Sequence, residues 1–392
     1  MRVTLTDPLA LIPGFGETHR EQSAAYPAAT AEPRWQPVHT VYVPADRFGT
    51  GTVAEWGEAA LELFGRHLPA EDMARFFGMD ERLARAVHEK VAAKLGTEPV
   101  EDLRVDFEDG YGLRPGEEDG HAARAAAAVA ALHADGTLPR RWGLRVKSFA
   151  DGDPARSVRT LDGFLTGVME RAGHLPAGFV VTFPKVLMRA YLGQFADCLE
   201  ALEGGLGLAG GTLRFEMQVE APQTVPFLDP SLAASLGGRL AAAHFGVFDY
   251  TASCSLPPHE QRLDHPVCDH ARHVMRTAFA GTGVELSDGS LAASPASGDG
   301  HAVRELWRRH TELVRHSLSN GFYQGWDMHP SHLVSRYAAV YHFHLSHYEE
   351  YAQRVRAWEE RSEAAGGVMD EPATVRTMAA ALRRANLALG KA

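Results

Sequence analysis

LRVDFEDGYG (103–112) begins as a β-strand and ends in a cluster of acids. Apolar and polar residues alternate over residues 103–108, and this period of two predicts a strand. Glu108 and Asp109 then fall at the carboxyl end of that strand, where parallel β/α folds place their functional side chains. Acids gathered at such a point face either water or a positive charge. The side chains at the ends of the other strands decide between the two.

Seven further segments favour strands, because they are short runs rich in apolar, β-branched or aromatic residues. Helix-compatible segments lie between them. Eight strands that alternate with helices predict an α/β protein with a parallel sheet, and eight is the strand number of a (β/α)8 TIM barrel. The seven segments are HTVYVPA (39–45), GLRVKSF (143–149), FVVTFPK (179–185), LRFEMQVE (213–220), AAAHFGVFD (241–249), GTGVEL (281–286) and GWDMH (325–329).

Three regions follow from this pattern. Residues 39–332 are predicted to form the catalytic barrel. Residues 1–38, rich in Pro, Gly and Ala, are expected to form an N-terminal extension on its surface. Residues 333–392 are almost entirely helix-compatible, and we expect a C-terminal helical lid or oligomerisation segment.

Composition excludes several classes of protein. A net charge of −11 disfavours a nucleic acid or an anionic membrane as a partner. The 3 cysteines form no C-x-x-C pair, which argues against a disulfide framework or a cysteine zinc site. Because no apolar run is long enough to span a membrane and the start does not resemble a signal peptide, we expect a cytoplasmic protein.

Charged side chains recur at the predicted carboxyl ends of the strands. Carboxylates from three strands suit a hard cation, Mg²⁺ or Mn²⁺, and an arginine opposite them can hold a substrate carboxylate at two points. Such a set fits a small 2-oxo acid whose chemistry passes through an enolate. Spacing alone does not choose between Glu216 and Glu220. The candidates are Glu108, Asp109, Arg145, Lys147, Lys185, Glu216, Glu220, Asp249 and His329.

Each of these residues also has a structural interpretation. Acids at a strand end can form a solvated rim or cap a helix, and Arg145 or Lys185 can belong to an ion pair inside the barrel. Asp106, on the same strand face as Glu108, is expected to pair with a cation in the lumen. His329, before Pro330, is expected to fix a loop rather than bind metal.

Seven motifs, in order over residues 41–332, resemble those of the HpcH/HpaI aldolase and citrate lyase β-subunit superfamily. Each motif alone is short, and their common order makes the resemblance specific. The motifs are VYVPADR (41–47), VDFEDGY (105–111), LRVKS (144–148), TFPKV (182–186), MQVEAPQTV (217–225), FGVFDYTAS (245–253) and GFYQGWDMHPSH (321–332).

The resemblance implies a TIM barrel that binds Mg²⁺, or Mn²⁺, through Glu220 and Asp249. It implies that Arg145 grips the substrate carboxylate, while Glu108 and Asp109 bind the waters of the metal. Lys185 belongs to the P-K-V motif and is a candidate catalytic residue.

Two departures from the family pattern bear on the substrate. Lys147 stands where the family has asparagine, which adds positive charge beside the substrate. A long insertion between the first two motifs includes RFFGMDERLARAVHEKVAAKLG (75–96) and covers a region where relatives contact coenzyme A. In some relatives the C-terminal lid gives an aspartate to a neighbouring subunit, and here Asp370 is the candidate. Relatives are commonly trimers or hexamers, so a homo-oligomer is expected.

The sequence therefore predicts a metal-dependent carbon–carbon lyase or aldolase acting on a small 2-oxo or 3-hydroxy acid, or its CoA thioester. An acyl-CoA thioester hydrolase and a malate-synthase-like condensing enzyme are alternatives on the same site. A Schiff-base aldolase using Lys185 and a regulatory protein without activity are further alternatives. The substrate itself is set by loops and is left open.

Overall fold

Eight parallel strands form the centre of the protein in a computed structural model, which describes residues 4, 7, 9–26, 33–360 and 371–391. The strands pair in the order β7-β6-β5-β4-β3-β2-β1-β8, and a parallel bridge between Ser287 and Gln324 joins the two ends. The predicted α/β TIM barrel is confirmed. The strands are β1 (His39–Pro44), β2 (Asp102–Asp106), β3 (Arg141–Arg145), β4 (Phe179–Phe183), β5 (Phe215–Val219), β6 (Leu240–Phe245), β7 (Glu285–Ser287) and β8 (Gly325–Asp327).

Every strand is followed by at least one helix, as a chain of parallel strands requires. Several helices carry side-chain N-caps, for example that of Asp80, whose carboxylate accepts from the Leu83 N–H at 2.9 Å. The helices are α1 (Phe15–Ala25), α2 (Thr52–His67), α3 (Ala70–Phe77), α4 (Glu81–Thr97), α5 (Glu118–Ala134), α6 (Pro154–Ala172), α7 (Arg189–Leu206), α8 (Ser231–Ser235), α9 (Val247–Ser253), α10 (Pro266–Phe279), α11 (Gly300–Ser319), α12 (Pro330–Ser346), α13 (Tyr348–Glu359) and α14 (Pro372–Ala388).

The long insertion between β1 and β2 forms α2, α3 and α4. These helices pack on one another, and α2 and α4 also pack on α12. Beyond α12, helices α13 and α14 pack together. The described helices include none with both the length and the apolar character that a membrane span needs.

Two strand predictions extend four residues beyond the observed strands. GLRVKSF (143–149) was expected to be a strand, but β3 ends at Arg145. AAAHFGVFD (241–249) was expected to be a strand that ends at Asp249, but β6 ends at Phe245 and Asp249 lies in the first turn of α9. The chain changes direction at Gly246, whose carbonyl accepts the first helical hydrogen bond from the Tyr250 N–H. A short apolar run has the same composition in a buried strand and a buried helix, so periodicity did not separate them here.

A charged network fills the lumen at the level of Arg104, which is completely buried. Its guanidinium donates to both carboxylate oxygens of Glu216, at 3.0 and 2.8 Å, and also contacts Asp102. The Nε2 atom of His244 lies 3.1 Å from Glu216. Glu216 is therefore committed to this network.

Candidate active site

The turn after β2 is organised by the carboxylate of Asp106. Its two oxygens accept the backbone N–H groups of Glu108 and Gly110, each at 2.9 Å. A Cβ atom on Gly110 would lie 2.6 Å from Asp106 Oδ2, so this position needs glycine. The sequence motif FEDG thus folds back on the strand end and presents Glu108 and Asp109 together.

Arg145, the last residue of β3, is fixed by the same carboxylate. Its Nε and Nη2 atoms donate to the two oxygens of Asp106, both at 2.7 Å, and its Nη1 atom lies 3.1 Å from Glu108 Oε2. The expected pairing of Asp106 with a lumen cation is confirmed. Although burial opposes the charge, the carboxylates of Asp106 and Glu108 hold the pKa of Arg145 well above its usual value, so the guanidinium stays charged.

Lys185 brings the remaining acids together. Its backbone has φ of +48°, a left-handed conformation that is uncommon outside glycine, and its N–H donates to Glu220 Oε1 at 2.6 Å. Its ammonium binds Asp109 Oδ1 at 2.6 Å, contacts Glu108 and lies 3.9 Å from Asp249 Oδ2. One lysine therefore touches four carboxylates through its main chain and side chain.

Glu220 and Asp249, the two predicted metal ligands, differ in exposure. Glu220 is 3% exposed, whereas the Asp249 side chain is 47% exposed at the mouth of the barrel. Gly246 makes room for Glu220, because a Cβ atom there would lie 2.5 Å from the Glu220 Cβ atom. The structure brings both carboxylates to Lys185.

The pKa values show strong crowding of negative charge. Burial, and then the charge of Glu108, raise the pKa of Glu220 to about 8. Burial also raises the pKa of Glu108 to about 7 and that of Asp249 above its usual value. Burial acts in the same direction on Asp109, but its hydrogen bond with Lys185 lowers the pKa overall. A divalent cation would relieve this repulsion, and carboxylate oxygens are the ligands that Mg²⁺ prefers. The donor set therefore fits the metal that the resemblance implies.

Lys147 lies apart from this group. Its ammonium donates to the carbonyl oxygens of Phe107 at 2.6 Å and Gly112 at 2.9 Å, and it lies 3.5 Å from Glu118. These contacts tie both ends of the acidic turn to the segment that follows β3. A direct role in substrate binding would require Lys147 to give up these bonds.

The structure explains one further polar group of the barrel, His329, and leaves a second, Gln218, without a described partner. His329 caps α12, with its Nδ1 atom accepting the Ser331 N–H at 3.2 Å, so the expected loop-fixing role is confirmed. Gln218, one step along the strand face from Glu220, is completely buried, and neither of its amide atoms has a hydrogen-bond partner among the described residues. A polar ligand or water would satisfy this amide.

A second cluster with metal-ligand chemistry was not predicted from the sequence. His310, Asp327 and His332 are buried, with ligand atoms within 4.8 Å of one another. The Asp327 carboxylate is already paired with Arg336 at 2.8 Å and with the ring of His39 at 3.2 Å.

The two histidines of this cluster are also occupied. The Nδ1 atom of His310 bonds to Ser335 at 2.8 Å, and the Nε2 atom of His332 bonds to the Ala293 carbonyl at 2.8 Å. Burial lowers the pKa of both rings, that of His332 to about 3. We interpret the cluster as a neutral-histidine network that holds β8, α11 and α12 together. The predicted lid residue Asp370 lies outside the described residues.

Residues 15–389 match the model of a family described as a domain of unknown function, DUF6986. The chain belongs to this family. A search of curated proteins finds no match. The family description assigns no activity, so solved structures with the same fold are the informative comparison.

A citrate lyase from Burkholderia xenovorans LB400 is 17% identical and has a TM-score of 0.62, over 93% of this chain and 96% of its own. Malate synthase of Haloferax volcanii, in a lead(II) complex, is 13% identical and has a TM-score of 0.54. The match covers 91% of this chain and 90% of the malate synthase chain. CitE from Mycobacterium tuberculosis, in complex with magnesium, acetoacetate and coenzyme A, is 19% identical and has a TM-score of 0.52. The match covers 90% of this chain and 98% of the CitE chain. At these identities the likeness is one of fold, and this fold is the TIM barrel that the seven motifs imply.

Proposed function

We propose that the protein is a metal-dependent lyase or condensing enzyme that breaks or forms a carbon–carbon bond in a small carboxylic acid or its CoA thioester. The observation that carries the proposal is the convergence of Glu220, Asp249 and Glu108 on Lys185 at the carboxyl ends of the strands, beside Arg145. This is the end of a TIM barrel at which active sites lie.

Structures with the same fold support the ligand class. CitE binds magnesium, acetoacetate and coenzyme A, and the malate synthase is also known in a complex with magnesium and glyoxylate. Glu220 and Asp249 would hold Mg²⁺ or Mn²⁺ here. When bound, the ion would supply positive charge beside a substrate carbonyl oxygen, where negative charge develops as the carbon–carbon bond breaks.

Asp106 and Arg145 have a positioning and a binding role in this proposal. Asp106 fixes the guanidinium through Nε and Nη2, so Nη1 is the nitrogen left beside Glu108 in the site. An incoming substrate carboxylate would bind at Nη1 and take the place of Glu108. Because the guanidinium is held in advance, binding the acid costs less conformational entropy.

Glu108 and Lys185 would handle the proton and the charge. With a pKa of about 7, the Glu108 carboxyl can accept or give a proton at neutral pH. In the cleavage direction, the substrate hydroxyl loses a proton, the carbon–carbon bond electrons remain on the acid fragment, and an aldehyde or ketone leaves. The acid fragment then takes up a proton. Lys185 would stabilise the negative charge that builds up in between.

The environment of Lys185 disfavours the Schiff-base alternative. A lysine nucleophile needs a lowered pKa so that its amine is free of the proton. Although burial opposes the charge, the carboxylates of Glu108 and Asp109 raise the pKa of Lys185 above its usual value. We therefore assign Lys185 an electrostatic role.

The test is an activity screen with small 2-oxo and 3-hydroxy acids, each with and without acetyl-CoA or as the CoA thioester. Products are identified by mass spectrometry in EDTA and after Mg²⁺ is restored. We expect carbon–carbon cleavage or condensation that is lost in EDTA and in Glu220→Gln, and that is retained in Glu200→Gln, which changes an exposed glutamate on α7.

Two results would contradict the proposal. The first is full activity in chelator. The second is release of free CoA with no carbon–carbon product, which would instead identify a thioester hydrolase. The cytoplasmic location and the homo-oligomeric state, trimer or hexamer, stay predictions, and sedimentation analysis of the full chain would measure the latter.

A further inference from the structure

A cavity of about 630 Å³ lies at the amino-terminal end of the barrel. Its walls include residues at or just before the start of strands, namely Gln36, Arg214, Glu285 and Tyr323. Helix α14 supplies a further wall that includes Arg384. Because the proposed active site lies at the carboxyl ends of the strands, the two sites are at opposite ends of the barrel.

The lining of this cavity carries an excess of positive charge. Arg34, Arg214 and Arg384 line it, and none of the three forms an ion pair with a carboxylate among residues 33–360 and 371–391. Glu285 is the acid of the described lining, and it already binds Arg141, with Nη2 to Oε1 at 3.1 Å. Three guanidinium groups therefore have no carboxylate partner among the described residues.

Arg214 is surrounded by other positive charges. Burial lowers its pKa, Glu285 opposes this effect, and the charges of Arg141 and Arg34 lower the pKa further. Its donated hydrogen bonds go to main-chain carbonyl groups, of Gly238 at 3.1 Å and Leu240 at 3.5 Å. An anion in the cavity would offset this repulsion.

Aromatic side chains continue the cavity on one side. The guanidinium of Arg384 lies 4.1 Å from the ring centre of Tyr323, which is stacked on His344 at 6.3 Å. Burial and the charge of Arg384 lower the pKa of His344 to about 4, so this ring is neutral at neutral pH. A neighbouring cavity of about 340 Å³ shares these three side chains and adds Phe343, Tyr348 and Tyr351.

We propose that this double cavity binds a phosphorylated ligand with a planar ring, of the nucleotide class. Guanidinium groups bind phosphate oxygens in pairs, and aromatic faces stack on planar rings. The volumes fall in the range of small-ligand sites, about 300–1,000 Å³. The site is independent of the proposed catalytic function, because it shares no residue with the mouth of the barrel.

The test is binding of ADP to the full chain by calorimetry and thermal shift, with pyrophosphate and adenosine as partial ligands. ADP should bind more tightly than either part. Loss of one arginine contact should weaken ADP binding at least about tenfold, which corresponds to about 1.4 kcal/mol. The variants are Arg214→Gln and Arg34→Gln, and the second changes an exposed residue, so its folding is not at risk.

Two controls locate the ligand. Arg124→Gln, an exposed arginine on α5, should bind ADP as the wild type does, and so should Glu220→Gln at the other end of the barrel. No binding of ADP or pyrophosphate at millimolar concentration would overturn the proposal, as would ADP binding that both cavity variants retain. Equal binding of pyrophosphate and ADP would overturn the assignment of a ring to the ligand.

Discussion

Asp106→Asn is expected to destabilise the protein strongly, because one carboxylate holds both the acidic turn and Arg145. Asp106 accepts two hydrogen bonds from the guanidinium at 2.7 Å and two from backbone N–H groups at 2.9 Å. Asparagine keeps the shape and one acceptor oxygen but loses the charge and the second acceptor. Arg145, only 6% exposed, would then face Glu108 as its one remaining close carboxylate among the described residues. Breaking a buried pair in this way costs about 3–5 kcal/mol.

The matched control is the same substitution in an exposed pair. Asp119 binds Arg159 through two oxygens, but the two side chains are 60% and 74% exposed. Asp119→Asn should therefore leave the free energy of unfolding close to that of the wild type, because an exposed ion pair contributes little to stability. Equilibrium urea unfolding followed by circular dichroism compares the two variants with the wild type. Equal losses of unfolding free energy in the two variants would refute the central role assigned to Asp106.

Three further changes test the site. Gly246→Ala places a methyl group 2.5 Å from the Glu220 Cβ atom and should displace this metal ligand. The affinity for Mn²⁺, measured by electron paramagnetic resonance, should therefore fall at least as far as in Asp109→Asn. Unchanged affinity would show that Gly246 does not position Glu220. Lys147→Met should release the acidic turn and speed hydrogen–deuterium exchange of the backbone amides of residues 107–112, measured by mass spectrometry, whereas an unchanged exchange rate would argue against its anchoring role. In EDTA, the pKa of Glu220 is about 8 in the folded chain and near 4.5 in the unfolded chain, because burial penalises the charged carboxylate. The folded state therefore binds this proton more tightly, and the resulting stability is fully present below about pH 4.5 and is lost as the pH rises through about 8. The melting temperature of wild type minus that of Glu220→Gln should fall between pH 6 and 9, and a rise would contradict the assigned pKa.

The sequence was sufficient for the fold because each strand combines a short apolar run with a following helix. It also placed the acids and Arg145 at strand ends, since parallel strands bring their carboxyl ends to one edge. The prediction of a strand that ends at Asp249 was wrong, because the chain turns at Gly246 and continues as a helix. In so short a run, periodicity does not distinguish a buried strand from a buried helix.

Pairings within the site could not be predicted in the same way. Lys185 reaches Glu220 with its main chain only because its φ is +48°, a local conformation that the P-K-V motif does not reveal by spacing. Lys147 was expected beside the substrate because it stands where the family has asparagine, but its ammonium donates to the Phe107 carbonyl. The pairing of His310 with Asp327 joins α11 to β8, and no local pattern records such a contact.

The most direct test of the proposed site is a crystal of the full chain soaked with Mn²⁺ and oxalate, with the ion located by its anomalous scattering. The account predicts an ion coordinated by Glu220 and Asp249, with oxalate beside Arg145. An ion held by His310, Asp327 and His332, or an ion that leaves Glu220 and Asp249 unligated, would contradict it.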